Sequence, residues 1–339
     1  MRSAPRVIVV GAGTKPRLAQ VAGEVARIST AKLRGIVEYE PTEFTFTALA
    51  GTPLHEIAAA LAETGQYLPF DPMLAEAGAT LGGTVAAGLS GPGRFRFGGL
   101  RDFILGVRFV DGEGRLLRLG GKVVKNAAGF DVPKFFVGGL GRFGAMAEIT
   151  FKVFPRPVAL RTLRLDAADD AAKLKILTAA ASARWELDAL DSAVGEPAVL
   201  ARIGGPAAAL DALCAEILGR CPGEELAGEA AVHCWSVATE FRWAHEGGGL
   251  AKFAITPAQV PEFSAWVRRL PGGRGWISAG GNVGYVAAES GAALVGAPWP
   301  GVTLRGTSPL WLGPQRTPAI IDAVKHALDP HGRFPNLND

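Results

Sequence analysis

Residues Gly78 to Gly93 read GATLGGTVAAGLSGPG, and this stretch decides how the rest of the chain is interpreted. Between Gly78 and Gly88 it contains four glycines and three alanines, a pattern typical of neither a flexible linker nor a regular helix or strand. Glycine lacks the Cβ atom that would block a ligand, and consecutive turn-type peptides can direct their N–H groups at an anion. The stretch predicts either a diphosphate-binding turn or a tight crossing of chain segments, and composition leaves both interpretations open.

A second glycine cluster follows a strand-like run near the start of the chain, in VIVVGAGTKPR from Val7 to Arg17. A dinucleotide-binding fingerprint requires G-x-G-x-x-G, but Pro16 stands at the third glycine position and no clean βαβ pattern follows. The Walker pattern also fails, because Lys15 comes directly after Gly-Thr. We therefore predict a strand and a glycine turn that can bind phosphate but is not a nicotinamide fingerprint.

A third cluster combines KNAAGFD at 125–131 with FVGGLGRFGAMAEITFK at 136–152. Its glycines precede a predicted strand, so they put residues without side chains where a flat ring could approach the backbone. Each of the three clusters is a weak signal when taken alone.

Length and composition limit the function classes. The 339 residues suffice for two domains, and 48% apolar with 20% charged residues indicate a globular protein. Lys plus Arg exceeds Asp plus Glu by only three, which argues against a nucleic-acid surface. The three cysteines form no C-x-x-C pair, so they predict neither an iron–sulfur cluster nor a zinc site. No signal peptide or membrane-spanning helix is predicted, so we expect a cytoplasmic protein whose membrane association, if any, runs through a partner.

Local patterns predict strands and turns up to about Pro157 and an alanine-rich, more helical region after it. The double proline in Phe154 to Pro157 is the predicted domain boundary. The predicted strands are 35–40, 43–49, 104–110, 115–119, 147–153 and 199–203, with a hairpin over 103–119 at an Asp-Gly turn. The predicted helices are 53–64 with Thr52 as N-cap, 169–183, 206–218 and 317–328.

In this order and spacing the clusters resemble the FAD-binding domain of the vanillyl-alcohol oxidase and p-cresol methylhydroxylase (PCMH) superfamily. Within it, the chain resembles the FAD-binding subunits of bacterial glycolate oxidases. The resemblance covers most of the first half and only loosely the second half, with a tail, LDPHGRFPN at 328–336, that is similar to the family's closing segment. It rests on GAGTK (11–15), LRGIVEYEPTE (33–43), AGTPL (50–54), LPFDP (68–72), GATLGGTVAAGLSGP (78–92), RDFILGV (101–107), KNAAGFD (125–131) and GRFGAMAEITFKVFPRP (141–157).

The resemblance implies an α+β chain with a two-subdomain PCMH-type FAD-binding fold over 1–157 and a second, ferredoxin-like α+β cap domain over 158–310. The C-terminal helix and tail at 311–339 would return to the FAD domain. It also implies a set of cofactor-binding residues in two pyrophosphate loops, at the flavin ring and at the adenine end. These are Gly11, Ala12, Gly13, Thr14, Lys15, Gly78, Ala79, Thr80, Leu81, Gly82, Gly83, Ala86, Gly88, Gly91, Asp102, Gly141, Gly144 and Ala145.

Because the clusters contain no histidine of the kind that tethers flavin in the family, we expect non-covalent FAD and no metal. The catalytic base stays unassigned. Oxidation of a 2-hydroxy acid needs a proton acceptor and a cation for the carboxylate. The candidates are His233, His245, His326, His331, Arg202, Arg242, Lys125 and Asn126, each of which could equally be an ordinary surface or core residue.

The function implied by the resemblance is that of an FAD-binding subunit in a glycolate oxidase-like complex acting on short 2-hydroxy acids. Because this chain has no cluster-binding cysteines of its own, it would pass electrons to dioxygen, to a soluble acceptor or to a separate iron–sulfur subunit. The resemblance implies two partners, a larger FAD-containing subunit and an iron–sulfur subunit. Two alternatives stay open: a self-sufficient FAD-dependent 2-hydroxy-acid dehydrogenase, and a flavin-free structural subunit of such a complex.

Overall fold

The computed structural model of the chain describes residues 6–121, 131–315 and 318–339. These residues fall into two compact units. Unit 1 is drawn from Met1–Ser90, Gly99–Pro155 and Arg316–Asp339, and unit 2 from Gly91–Gly98 and Arg156–Gln315. Of the predicted segment at 125–131 only Asp131 is described, so the predictions for Lys125 and Asn126 lie outside the described residues.

Strands dominate both units. In unit 1 they are β1 (Val7–Val10), β2 (Ala26–Ser29), β3 (Ile36–Glu40), β4 (Thr45–Leu49), β5 (Gln66–Tyr67), β6 (Ile104–Val110), β7 (Leu116–Gly120), β8 (Ala145–Lys152) and β9 (Phe154–Pro155). In unit 2 they are β10 (Ala159–Asp166), β11 (Ala189–Ala193), β12 (Ala198–Gly205), β13 (Gly223–Leu226), β14 (Gly249–Ala254), β15 (Arg274–Ser278), β16 (Val283–Ala288), β17 (Gly301–Arg305) and β18 (Trp311–Leu312).

Helices connect the strands and cover the sheets. The α-helices of the described residues are α1 (Leu54–Ala62), α2 (Leu81–Ala87), α3 (Arg94–Phe97), α4 (Pro133–Phe136), α5 (Asp170–Ser182), α6 (Ala207–Arg220), α7 (Gly228–Thr239), α8 (Val260–Arg269) and α9 (Ala319–Leu328). Short 3₁₀ helices lie at Pro16–Ala19, Pro41–Glu43, Leu100–Asp102, Pro257–Gln259, Ala279–Gly281 and Gly291–Leu294. No helix in the described ranges is long and apolar enough to cross a bilayer.

Unit 1 is built on a five-stranded antiparallel sheet in the order β3-β4-β8-β6-β7. The predicted hairpin is confirmed: β6 pairs with β7 from Val110↔Leu116 onward, and the buried carboxylate of Asp111 accepts backbone N–H bonds from Glu113 and Arg115 at 2.9 Å each. Beside the sheet, β1 and β2 form a parallel pair with Val7 opposite Ala26.

The stretch around Gly82 departs from its prediction, because residues 81–87 form a helix. The Thr80 hydroxyl caps α2 by accepting the Gly83 N–H at 3.2 Å, and Gly88 ends it with a φ of 62°. Glycine disfavours helix, so tertiary contacts decide the conformation here. The Gly82 N–H donates to the Ala50 carbonyl at 2.7 Å, and the missing Cβ lets the two segments approach.

The predicted N-cap of α1 was also wrong. Pro53 occupies the N-cap position, and helix α1 begins at Leu54. The Thr52 hydroxyl instead donates to the Leu49 carbonyl at 2.7 Å and accepts the Gly35 N–H at 2.9 Å. The Thr52 hydroxyl therefore joins two chain segments and does not cap a helix.

Unit 2 is built on a nine-stranded antiparallel sheet in the order β13-β10-β12-β11-β15-β16-β14-β17-β18. Its first half follows the chain order β10-α5-β11-β12-α6-β13 with the spatial order β13-β10-β12-β11, which is the ferredoxin-like arrangement predicted for the second domain. One face of the sheet packs against α5, α6 and α8 in an apolar core that includes Leu163, Val199, Ile277 and Phe263.

Candidate functional site

Unit 1 contains an open pocket of about 710 Å³, a volume that includes space continuous with solvent. Its walls come from the end of β1, the glycine turn after it, one face of α2, and the chain just before and within β8. The lining residues are Val9, Val10, Gly11, Ala12, Gly13, Thr14, Lys15, Leu18, Ala19, Thr30, Ala50, Thr80, Gly82, Gly83, Ala86, Ala87, Leu140, Gly141, Gly144 and Met146. Small residues predominate, which leaves backbone exposed to the pocket.

The turn from Gly11 to Thr14 presents unused hydrogen-bond donors. Within the described part of the chain, the backbone N–H groups of these four residues have no protein acceptor. Residue Gly13 adopts a φ of 74°, which a residue with a Cβ rarely tolerates. Unpaired backbone N–H groups are costly unless water or a ligand accepts them, and successive N–H groups in such a turn form an anion-binding concavity.

Lys15 adds positive charge to the same turn. Its side chain is buried, and its ammonium group donates to the Thr14 hydroxyl at 2.9 Å. Charge-assisted hydrogen bonds to phosphate oxygens are stronger than neutral ones. The turn and Lys15 together have the donor chemistry that a diphosphate requires.

The α2 wall contributes space rather than donors. The N–H groups of Leu81 and Gly82 donate to the carbonyls of Thr52 and Ala50 at 2.9 and 2.7 Å, so protein acceptors already satisfy them. A Cβ on Gly11 would lie 2.5 Å from the Thr80 hydroxyl oxygen, so the turn and the helix are in close contact. The second glycine stretch therefore shapes the pocket through its missing side chains, and the anion donors lie in the first turn.

A strained loop closes another side of the pocket. The N–H groups of Gly138 and Leu140 donate to the Val85 and Ala86 carbonyls of α2, each at 2.9 Å. Leu140 adopts a φ of 52° and Gly141 a φ of 71°. A left-handed conformation in a non-glycine residue is uncommon and is maintained by its surroundings, here by the bond to α2.

The structure brings eleven of the predicted cofactor-binding residues into the pocket lining: Gly11, Ala12, Gly13, Thr14, Lys15, Thr80, Gly82, Gly83, Ala86, Gly141 and Gly144. The others do not line it, namely Gly78, Ala79, Leu81, Gly88, Gly91, Asp102 and Ala145. A Cβ on Gly88 would lie 2.9 Å from Gly138 Cα, so this glycine permits backbone packing. The Asp102 carboxylate accepts the Gly99 N–H at 2.8 Å, and Gly91 lies in unit 2.

Sequence reasoning missed nine lining residues. Several flank the glycine motifs, so proximity in sequence could have suggested Val9, Val10, Ala87 and Leu140. Thr30 reaches the pocket through the tertiary fold and left no local signal, whereas Ala50 and Met146 lie inside the matched stretches at 50–54 and 141–157 but were not singled out.

Unit 2 presents a separate group of polar side chains on the sheet face opposite its helical core. Lys252 in β14 stands opposite Tyr285 in β16, which in turn stands opposite Trp276 in β15. Side chains paired in this way across an antiparallel sheet lie close together. The buried Asp191 carboxylate accepts bonds from Trp276 Nε1 at 2.8 Å and from the Ser278 hydroxyl at 3.0 Å.

The electrostatics of this polar face are unusual. Burial, with a smaller contribution from the positive charge of Arg94, lowers the pKa of Lys252 to about 8. Burial and the negative charge of Asp191 raise the pKa of Tyr285 above its ordinary value. The Lys252 ammonium group and the Tyr285 hydroxyl are paired on this sheet face, and the positive charge of Arg94 of α3 acts on both, so the group has the donor chemistry for a small carboxylate. Sequence reasoning missed Lys252, because only the pairing of β14 with β16 brings it beside Tyr285.

The other catalytic candidates lie outside the unit 1 pocket. His233 is on α7 and His326 on α9, while His331 is exposed in the tail. His245 Nε2 lies 2.6 Å from the Gly272 carbonyl oxygen, and the Arg202 guanidinium stacks on Trp235 with 5.0 Å to the ring centroid. Within the described residues, no group of three or more histidine, cysteine, aspartate or glutamate side chains could hold a metal ion.

Comparison with known proteins agrees with this geometry. Residues 2–120 match a family model described as an FAD binding domain. The chain is 43% identical over 199 residues to the glycolate oxidase subunit GlcE of Escherichia coli, covering 58% of this chain and 54% of that protein. It is 30% identical over 159 residues to a D-2-hydroxyglutarate dehydrogenase of Xanthomonas citri, covering 46% of this chain and 33% of that protein. The chain thus spans about half or less of the lengths of these relatives.

A solved structure extends the fold comparison to nearly the whole chain. An alkyldihydroxyacetonephosphate synthase superposes with a TM-score of 0.71 at 16% identity, covering 97% of this chain and 72% of that one. At this identity the match concerns the fold alone. The predicted PCMH-type α+β fold is confirmed, and the family match confirms FAD as the predicted cofactor.

Proposed function

We propose that this chain is the FAD-binding subunit of a glycolate oxidase-like complex that dehydrogenates short 2-hydroxy acids and passes the electrons to its partners. The proposed partners are a larger FAD-containing subunit and an iron–sulfur subunit. The observation that carries the proposal is the set of unused N–H donors from Gly11 to Thr14, beside a glycine-lined pocket. The names of the relatives, which are oxidase subunits and hydroxy-acid dehydrogenases, support the reaction class.

The residues of unit 1 fit the chemistry of FAD. The N–H groups of Gly11 to Thr14 and the ammonium group of Lys15 would hold the diphosphate. The helix face at Gly83 and Ala86 and the loop at Gly141 would leave room for the flat ring systems, because they present little side chain. Bound FAD would supply the two-electron acceptor for the C–H bond of the substrate.

We also propose that unit 2 binds a small carboxylate at Lys252, which stands opposite Tyr285 across the sheet. The positive charge of Arg94, on α3 of the same unit, lowers the pKa of both Lys252 and Tyr285. A bound carboxylate would reduce the repulsion between the two cations and favour the charged form of Lys252. Carboxylate binding should therefore be accompanied by proton uptake near and above pH 8.

An absorption spectrum of the purified chain tests the cofactor assignment. We expect flavin bands near one FAD per chain, with the FAD released into the supernatant after acid or heat denaturation because it is not covalently attached. Bands that stay with the precipitated protein would contradict non-covalent binding. A colourless chain that takes up no FAD on reconstitution would refute the proposed function and favour a flavin-free subunit.

A second candidate is a self-sufficient FAD-dependent 2-hydroxy-acid dehydrogenase, which the polar face around Lys252 favours because it offers substrate-binding chemistry within this chain. Anaerobic addition of glycolate or D-lactate to the isolated, FAD-loaded chain separates the two. Bleaching of the flavin in the absence of partners would favour the self-sufficient enzyme. Flavin that bleaches only after partner subunits are added would support the subunit.

A further inference from the structure

The C-terminal segment, Asp329 to Asp339, is joined to the strand that leads into the pocket. The Val7 N–H at the start of β1 donates to the Arg333 carbonyl at 2.7 Å. Just before the segment, the Leu328 carbonyl accepts the Gly112 N–H at 2.8 Å. Phe334 is only 1% exposed. The segment is therefore packed as part of unit 1.

A buried carboxylate organises this segment. Asp329 accepts N–H bonds from Arg333 at 2.8 Å and from Phe334 at 2.9 Å, and it forms an ion pair with Lys325. The Lys325 ammonium group also donates to the Phe334 carbonyl at 3.0 Å. Buried charges are tolerated when they are paired and hydrogen-bonded, so this network gives the segment a defined conformation.

The far end of the segment contacts the loop that closes the pocket. Arg142 follows the pocket residue Gly141, and its side chain is fully buried. It donates from Nη2 to the Asp339 carbonyl at 3.4 Å, and among the described residues its Nε and Nη1 atoms have no acceptor. The Asp339 carboxylate pairs with Arg6 at 2.5 Å, directly before β1.

Electrostatics link the same groups. Burial lowers the pKa of Arg142 to about 10, and the positive charges of Arg6 and Arg17 act in the same direction. The negative charge of Asp339 opposes them. The Asp339 negative charge therefore stabilises the charged form of the buried Arg142, which the neighbouring cations disfavour.

We propose that the C-terminal segment is a positioning element of the cofactor pocket. Through Arg333 and Arg6 it fixes β1, whose end carries the Gly11 to Thr14 turn, and through Arg142 it fixes the loop at Gly141 and Gly144. Docking of the segment and binding of FAD then stabilise each other, because thermodynamic coupling between two sites is reciprocal. This inference rests on the proposed binding of FAD in unit 1.

Substitutions in the segment test one direction of this coupling. Asp339→Ala removes the ion pair with Arg6, and we expect FAD to bind up to about fivefold more weakly, because both side chains of the pair are about a third exposed and solvent screens it. Asn338→Ala is the matched control, since that side chain is exposed and should change the affinity less than about twofold. The measurement is FAD titration by flavin fluorescence, with the melting temperature of the FAD-free variants recorded alongside. Unchanged FAD affinity of Asp339→Ala would overturn the inference.

A double-variant cycle shows whether the Asp339 side chain acts through its ion pair. Because Arg6 and the Asp339 carboxylate form one ion pair, combining Arg6→Met with Asp339→Ala should weaken FAD binding no more than the more affected single variant does. Fully additive losses would contradict a role of Asp339 through Arg6.

Limited proteolysis tests the other direction on the full wild-type chain. We expect FAD to slow tryptic cleavage after Arg333 severalfold and to leave cleavage after the exposed Arg220 of unit 2 unchanged. FAD that binds without altering cleavage at Arg333 would refute the coupling and leave the proposed function intact. A chain that binds no FAD would refute the proposed function itself.

Discussion

Replacing Gly11 with alanine tests the contact that brings the glycine turn and helix α2 together. The new Cβ would lie 2.5 Å from the Thr80 hydroxyl oxygen, 3.7 Å from Thr80 Cβ and 3.9 Å from Gly83 Cα. Only the hydroxyl contact is too short, since the other two are ordinary van der Waals distances. The Thr80 side chain must therefore rotate or move, and rotation breaks its bond to the Gly83 N–H.

The size of the effect follows from these contacts. Loss of an N-cap bond costs about 1 kcal/mol, and crowding a well-packed site costs roughly 1–3 kcal/mol more. We expect Gly11→Ala to destabilise the chain by about 2–3 kcal/mol and Thr80→Ala by about 1 kcal/mol. In the double variant the clashing oxygen is absent, so the expected cost is only about 1 kcal/mol. The two substitutions should therefore be strongly non-additive.

Urea unfolding of the four proteins measures this cycle, and FAD titration gives its effect on the cofactor. Thr80→Ser is the matched control, because serine keeps the hydroxyl and should not relieve the clash with Ala at position 11. A clash between the new Cβ and the Thr80 hydroxyl would be ruled out if the Gly11→Ala and Thr80→Ala costs simply added, or if serine at position 80 restored stability as well as alanine did.

Further predictions concern the second glycine stretch, the polar face and the thiols. Gly82→Ala should lower the free energy of unfolding by about 1–3 kcal/mol, because its Cβ would lie 2.9 Å from both the Cβ and the carbonyl oxygen of Ala50; unchanged urea stability would contradict this. Burial lowers the pKa of Lys252 to about 8 in the folded chain, below its pKa in the unfolded chain. At pH values between these two pKa values the unfolded chain binds more protons than the folded chain does, so the free energy of unfolding should rise from pH 8 toward pH 10. The urea midpoint of the Lys252→Met variant should not rise over this pH range. If the variant and the wild-type chain had the same pH profile, Lys252 would not be the source of the rise. Burial raises the pKa of the Cys234 thiol to about 11. This thiol should therefore react with an aromatic disulfide at pH 8 far more slowly in the folded chain than in the urea-unfolded chain. Equal reaction rates in the two states would contradict the raised pKa.

Local sequence patterns predicted an element correctly where the local propensities and end signals favour the conformation that the structure has. Strand β6 has the predicted bounds, Ile104–Val110, because it is rich in β-branched and aromatic residues and ends at an Asp-Gly turn. Helix α5 was predicted to within one residue at each end, since Asp169 caps it by accepting the Ala172 N–H at 2.7 Å. These signals are local, so a single sequence contains them.

The exceptions depend on contacts between distant segments. Helix α2 has poor intrinsic propensity, and its first N–H groups are satisfied by carbonyls of Ala50 and Thr52 rather than by a phosphate. The motif was recognised correctly as a site of close approach, but which loop offers free donors depends on that tertiary pairing. The roles of Lys252 and Arg142 likewise depend on a strand register and on the packing of the C-terminal segment. Lys252 lies in no motif, and the matched stretch at 141–157 does not indicate that Arg142 contacts Asp339.

In the proposed function, the backbone N–H groups of Gly11 to Thr14 bind the diphosphate of FAD. Amide chemical shifts of the labelled chain, recorded by NMR with FAD, with ADP and with riboflavin, test it most directly. We expect FAD and ADP to shift the amide signals of Gly11 to Thr14. Riboflavin, which has no diphosphate, should leave these signals unshifted, and the amides of Leu81 and Gly82 should change less. Unshifted Gly11 to Thr14 signals at saturating FAD, or equal shifts with riboflavin, would contradict it.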